Sequence, residues 1–531
     1  MTTGSRTPTR RQLLSAIAMA GGTAALYQAM TTLGHAAETQ FHGPPNLQGA
    51  RPGASVIVLG AGLAGLLAAH ELTKAGYKVK ILEYQGRSGG RNWSLRGGDT
   101  YTELGGATQK VGFAAGNYLN PGPWRIPHHH RTLLHYCKQF GVALEPFIQF
   151  NHNTWVHSST SFGGKPVRFN AAAADFEGNI AELLAKSVNA KALDDAVTQE
   201  DRDKLLEALK GWGMLDKDYK YAAGLRASSH RGFERPPGGG VNGAPIPSTD
   251  LHSLHDVLDP QVWTSMAFFM GHEMQTTMFQ PVGGMDMIGK AFAKQVEGLV
   301  THNAKVTKIA QDDKGVAVTY QDTLSGAVTT AEADWCVCTI PLGVLGQIDT
   351  QVTDEMMAAI KAVPYSGQVK IGLEMKRRFW EEDDYIYGGH SFTDQEIALI
   401  SYPNNNLFKD GPAVLLGAFA RELGAYRLAG MTPEQRIETA LRQGSVIHPD
   451  SYRKEFLTGA SVAWSRVPWT LGCCARWTEE TRKEHYQTLV AMDRRIVLAG
   501  EHASYVGCWM EGALLSSIDA ITRLHKRALE A

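Results

Sequence analysis

The chain has 531 residues and a formal net charge of −1, with 52 basic side chains against 53 acidic ones. That length suits two or three domains and a large core. The near-neutral balance excludes a broad basic field for nucleic acid or anionic lipid, and fractions of 43% apolar and 20% charged are those of a soluble globular enzyme.

The first forty residues read as separate from the fold. Thr9-Arg10-Arg11-Gln12-Leu13-Leu14 precedes a weakly apolar Ala/Gly/Leu/Met stretch reaching about Met30, with small residues Gly34 and Ala36 beyond it. This resembles a twin-arginine export signal, which carries folded proteins across the bacterial inner membrane. The competing reading is a disordered basic N-terminus. The stretch is too polar to be a membrane span, and no later segment qualifies.

Ser55-Val56-Ile57-Val58-Leu59 predicts a buried parallel strand. Gly60-Ala61-Gly62-Leu63-Ala64-Gly65 follows, then a helix from Leu66 to Lys74, a second strand from Tyr77 to Leu82, and Glu83. Gly60 permits the tight turn and Gly62 lets backbone approach a pyrophosphate. Gly65 lets the helix pack close, with its N-terminus facing the anion. Glu83 is placed to accept hydrogen bonds from ribose hydroxyls. The glycines alone are weak evidence; strand, helix, strand and acid in order make a dinucleotide fingerprint. Gly86-Arg87-Ser88-Gly89-Gly90-Arg91 adds a second glycine-rich stretch.

Residues 107–121 form a Gly/Asn-rich stretch without periodicity. Gly122-Pro123-Trp124-Arg125-Ile126-Pro127 comes next, with a helix from about His130 to Phe140 for which Pro127 suits the N-terminus. A guanidinium on such a loop can grip a carboxylate through two parallel hydrogen bonds; taken alone, an arginine is more often a surface or structural one. The run His128-His129-His130 invites a metal reading, but adjacent residues on a helix diverge, so no metal site is assigned. Leu205, Leu206 and Leu209 mark an amphipathic helix in a mainly helical region, and 235–247 reads as a long irregular loop, either a lid or interface element or plain disorder. Later come Pro281-Val282-Gly283-Gly284-Met285, Val306, and a strand and turn from Asp334 to Pro341. Val369-Lys370-Ile371-Gly372-Leu373, Ile397–Ile400 and Val414–Leu416 read as strands, and Pro433 to about Gln443 as a helix. Arg495–Glu501 reads as a strand ending in Gly-Glu, and Trp509-Met510-Glu511-Gly512-Ala513 opens a last helix. Six cysteines without a Cys-x-x-Cys pair suggest mostly buried thiols.

These motifs, in this order from about residue 55 to the C-terminus, resemble the flavin-dependent amine oxidases, and among them the L-amino acid oxidases. The resemblance implies an α/β fold. A Rossmann-like FAD-binding domain would be assembled from 50–120, 281–345 and 490–531. A helical segment with a lid-like loop (121–280) and a mixed-sheet substrate domain (346–489) would complete it. It implies FAD, held without a covalent bond, at Gly60, Ala61, Gly62, Gly65, Glu83, Arg91, Gly122, Pro123, Trp124, Arg125, Val306, Glu501, Trp509 and Met510. In venom L-amino acid oxidases a Gly-Pro-x-Arg-x-Pro segment holds the substrate carboxylate, which makes Arg125 the anion clamp here. The family's lysine ahead of a Phe-Trp pair holds a water against the flavin, and Lys370 before Phe379-Trp380 matches it. Trp509 matches the aromatic wall of the pocket. Its usual tyrosine partner is replaced by Cys474, for which Trp469 is the candidate substitute, and Cys473 lies near the position where monoamine oxidases attach flavin. The implied reaction is oxidative deamination of an L-amino acid with oxygen as acceptor, giving 2-oxo acid, ammonia and peroxide. The alternatives are an amino acid 2-monooxygenase, an oxidase of carboxylate-free amines, or a non-enzymatic flavoprotein module. Partners are then small molecules, without nucleic acid or membrane span, in a homo-oligomer with a dimer favoured.

Overall fold

The structure is a computed structural model that describes residues 41–190, 192–193 and 197–531; the export motif lies outside them. Its organising element is a six-stranded sheet in the order Val300–Thr301, Lys78–Leu82, Ser55–Leu59, Trp335–Cys338, Ile496–Leu498, Met492–Asp493. All neighbours run parallel except the last pair. The strand Ser55–Leu59 is central, and its period of two divides the core. Val56 and Val58 face the helix Leu63–Lys74 and the last helix, Met510–Glu530. Ile57 and Leu59 face the opposite way, onto Val306, Ile309 and Val318. Those residues belong to a sheet of Val328–Ala333, Val316–Asp322, Ala304–Gln311 and Asp349–Thr350, antiparallel except for its last pair, that covers that side.

A seven-stranded mixed sheet lies beyond, ordered Val167–Arg168, Trp155–His157, His390–Thr393, Leu399–Ser401, Ala413–Arg421, Gln368–Met375, Phe456–Ala463. On Gln368–Met375, Val369, Ile371, Leu373 and Met375 enter a core under the helices Glu422–Ala429 and Pro433–Ile447. Alternation therefore turns Lys370 to the other face, opposite Phe419 on the neighbouring strand. A buried ion pair fastens this sheet to the N-terminal half: Arg436 donates to both carboxylate oxygens of Glu103 at 2.9 Å.

Several local expectations are corrected. The first helix begins at Leu63, directly at the glycine loop, because the Gly62 carbonyl already accepts from Leu66 N–H. Pro127 does not open a helix; Ile126–Pro127 is a short strand paired with Met278–Pro281, and the helix runs Arg131–Gln139. The stretch 107–121, which shows no periodicity, still supplies two short strands: Thr108–Lys110 pairs with Thr100–Thr102 and Tyr118–Leu119 with Leu95–Arg96. The 235–247 loop is the connection of a hairpin between Phe233–Arg235 and Ile246–Pro247. The region 121–280, expected mainly helical, also supplies two strands of the mixed sheet. Cys474 and Cys508 form a disulfide, and the other four cysteines are free.

Candidate active site

The glycine loop has the shape its sequence dictates. Gly60 sits at φ +99°, and a Cβ on Gly65 would stand 2.0 Å from the Gly60 carbonyl oxygen, so both positions demand glycine. A Cβ on Gly62 would meet open space, and Gly62 leaves the helix N-terminus without a side-chain cap. Free N–H groups facing room are what an anion needs. The second glycine stretch closes over the first: Gly89 N–H donates to the Ala61 carbonyl at 2.8 Å, and Gly62 and Gly89 form a parallel bridge. Buried Glu83 accepts from Ala61 N–H at 2.6 Å and from Gln85 N–H at 2.7 Å. Burial raises its pKa, opposed by those two donors and by Arg87. Val306 is buried on the strand beside this loop.

Arg91 carries the site inward. Its Nη1 donates to the Cys473 carbonyl and, at 2.9 Å, to Glu501. Burial would raise the Glu501 pKa, but Arg91, His502 and the Cys508 N–H outweigh it and hold the carboxylate low. Met510 Sδ accepts from Asn92 at 3.3 Å, which ties the last helix to the same loop. The Arg125 loop packs directly on Arg91: a Cβ on Gly122 would lie 1.9 Å from the Arg91 carbonyl oxygen. The Gly122 carbonyl accepts from Lys370 Nζ at 2.6 Å, and the Asn120 carbonyl from the same amine at 3.5 Å.

Arg125 and Lys370 converge on the Trp124 ring, and Arg125 also reaches Trp509. The Arg125 guanidinium and the Lys370 ammonium lie 4.6 Å and 4.8 Å from the centre of the Trp124 ring. Arg125 is also 5.5 Å from the Phe268 ring centre and 5.9 Å from that of Trp509. Lys370 is 4.8 Å from Phe419. Arg125 is only 5% exposed, and its Nε and Nη1 have no hydrogen-bond partner; Nη2 meets only Met274 Sδ, at 2.9 Å. No carboxylate pairs with it among the described residues. Burial, then repulsion from Arg421, brings its pKa down to about 9. Burial also brings Lys370 down to about 7, with Cys473 favouring and Arg125 opposing its charged form. Two buried cations without an anion cost free energy, an arrangement that marks a ligand site.

Two expected residues stand elsewhere or differ. Trp469 stacks on Tyr84 at 5.1 Å, beside Glu83, and so belongs to the nucleotide end rather than the substrate wall. Cys474 is bonded to Cys508, next to Trp509, so the position opposite Trp509 holds a disulfide. Cys473 stays a free, half-buried thiol 3.0 Å from Gln368 Oε1; burial pushes it up to about 11. The histidine run does not follow helical divergence either. It precedes the helix, and the side chains of His129 and His130 both reach Glu273, at 3.2 Å and 2.8 Å, so three potential ligand atoms come together. Burial opposes but does not outweigh the two imidazoles, which hold Glu273 down to about 2. His130 then packs edge-on to Trp509 at 5.0 Å. Phe268, Phe419, Met274, Glu273 and Arg421 were missed by sequence reasoning. Phe419 could have been found from strand alternation; the others arrive from distant segments without a local signal.

Glycine loop, Glu83, Arg91–Glu501 and a buried lysine beside an aromatic chamber together define a flavoprotein oxidoreductase site. The profile of the family described as flavin containing amine oxidoreductase matches residues 63–524, and the chain belongs to that family. An L-amino-acid oxidase of Siganus canaliculatus is 28% identical over 484 residues, covering 89% of this chain and 86% of that protein. The flavin-dependent L-tryptophan oxidase RebO of Lentzea aerocolonigenes is 28% identical over 501 residues, covering 90% and 98%. The cyclohexylamine oxidase of Brevibacterium oxydans IH-35A superposes with a TM-score of 0.57 at 16% identity, over 90% of this chain and all of that one, a likeness of fold alone.

Proposed function

We propose that the protein is an FAD-dependent L-amino acid oxidase. The observation that carries this reading is Arg125: buried, without an anionic partner, and in the same aromatic chamber as Lys370 and Trp509. A substrate carboxylate would satisfy the two unpartnered nitrogens through a bidentate pair, which an amine without an acid group cannot do. Gly60, Ala61, Gly62, Gly65, Glu83, Arg91, Val306, Glu501 and Met510 would hold the dinucleotide. The Gly122–Arg125 loop would stand between cofactor and substrate. Bound without a covalent link, the flavin would accept the two electrons and the α-hydrogen as hydride, and pass the electrons to oxygen.

The protein's own residues provide orientation and a dry chamber. Arg125 fixes the carboxylate, which leaves one approach for the α-carbon. Trp124, Phe268 and Trp509 exclude water, so the amine loses its proton more readily and its lone pair is free. Lys370, anchored on the Gly122 carbonyl, would orient a water at the cofactor. The imino acid released hydrolyses to a 2-oxo acid and ammonia. The test is product analysis with a panel of L- and D-amino acids and simple amines. Peroxide, ammonia and 2-oxo acid from L-amino acids are expected. An amide with carbon dioxide would make it a monooxygenase, and turnover of amines alone would overturn the reading. Export by the twin-arginine route and a homodimer belong to the same proposal. N-terminal sequencing of the exported chain and light scattering test them.

A further inference from the structure

The chamber holds a second guanidinium that the reaction above does not use. On the strand Ala413–Arg421, Phe419 lies opposite Lys370 and Arg421 opposite Gln368, so all four side chains fall on the face turned away from the Val369/Ile371 core. The Arg421 guanidinium lies 5.3 Å from the Phe419 ring centre and 5.9 Å from that of Phe268. Phe268 is the ring that Arg125 also approaches, at 5.5 Å, so one phenyl separates the two arginines and bounds their distance. Arg421 is exposed to solvent, yet the protein atoms packed round it still cost it solvation.

Around this wall the guanidinium groups of Arg125, Arg421 and Arg476 meet the Glu422 carboxylate, which favours the charge on Arg421. Arg421 has no ion-pair partner within reach among the described residues. Its sequence neighbour Glu422 turns to Arg476 at 3.9 Å, and Arg476 itself repels Arg421. His390, fully buried beside Trp124, is driven toward its neutral form by burial and by both Arg125 and Arg421. One carboxylate on Arg125 leaves Arg421 with only Glu422, itself shared with Arg476, to offset its charge. A neutral or cationic side chain there would leave the second guanidinium unmatched, and a cationic one would be repelled.

Resting on the amino acid reading above, we infer that Arg421 receives a second acid group and that the substrate is a dicarboxylic L-amino acid: L-aspartate, L-glutamate or the next homologue. Arg125 takes the α-carboxylate and Arg421 the side-chain carboxylate, with the methylene chain lying against Phe268. Selection comes from charge, because the amide analogue has the same shape but leaves the cation unpaired.

The test uses the full chain with its flavin, in air-saturated buffer, scored for peroxide with L-aspartate, L-glutamate, L-2-aminoadipate, L-glutamine, L-leucine and L-lysine. The best acidic substrate should exceed its amide in kcat/KM by about tenfold or more, with the gain mainly in KM. In Arg421→Gln the acid-to-amide ratio should fall by about tenfold, and Arg421→Lys should restore part of it. Equal or better oxidation of the amide or of leucine by the unaltered enzyme overturns the inference. So does an unchanged ratio in Arg421→Gln with melting temperature and flavin absorbance preserved. If that variant loses its flavin, the acid-to-amide comparison in the unaltered enzyme decides alone. Oxidation of neutral amino acids in place of acidic ones removes this inference and leaves the amino acid oxidase standing; oxidation of amines alone removes both.

Discussion

Replacing Arg125 with Met separates what the arginine costs the fold from what it gives the substrate. The guanidinium is 5% exposed, with two unpartnered nitrogens and no counter-charge, and its pKa is brought down to about 9 by burial. An apolar side chain of similar length removes an uncompensated charge, so the ligand-free protein should melt at an equal or higher temperature. Bound substrate is affected in the opposite sense. Its carboxylate would enter the same dry chamber and find no partner, a loss of about 2–5 kcal/mol. At about 1.4 kcal/mol per decade, that is a fall of tens- to several-thousand-fold in kcat/KM. Anaerobic mixing in a stopped-flow instrument, following loss of flavin absorbance against amino acid concentration, separates binding from the reductive step. Most of the loss should fall in the apparent Kd. The refuting result is normal reduction of Arg125→Met by an amino acid at unaltered concentrations. A melting temperature several degrees lower would refute the claim that the Arg125 charge destabilises the fold.

Three further outcomes follow from the same geometry. Lys370, with a pKa near 7, should impose a rate that rises with pH as the amine deprotonates, and Lys370→Met should abolish that limb and slow reoxidation of reduced flavin by oxygen, measured in double-mixing experiments. Gly122→Ala places a methyl 1.9 Å from the Arg91 carbonyl, so the purified protein should lose flavin, read from its absorbance ratio, whereas Gly116→Ala, which meets no atom but carries φ +86°, should keep it. Cys508→Ser opens a bond that spans 34 residues, with an expected stability loss of about 3–4 kcal/mol in chemical denaturation and a disturbed Trp509 wall seen as raised KM.

How much of this was legible in the sequence depends on distance along the chain. Strand, glycine loop, helix, strand and Glu83 lie within thirty residues, and local rules govern them: a β-branched run, a turn requiring positive φ, a helix start. The Lys370 strand was equally readable, and its alternation already implied that lysine faces away from the core. Where sequence reading failed, the deciding partner was remote. Pro127 pairs with Met278, and the 107–121 stretch pairs with Arg96 and Thr102, so tertiary pairing overrode local turn chemistry. Trp469 was assigned by position, but Tyr84 captured its ring.

The amino-acid sequence by itself determined the nucleotide cradle and the family, because each part of the fingerprint is enforced by backbone sterics over a few residues. It also nominated Arg125, Lys370 and Trp509. Only the tertiary structure decided that these three share one chamber with Phe268 and Arg421, and that His129 and His130 converge on Glu273. It also decided that Cys474 is bonded to Cys508. Burial, charge pairing and the disulfide depend on segments brought together from 34 to more than a hundred residues apart, and no local pattern records them.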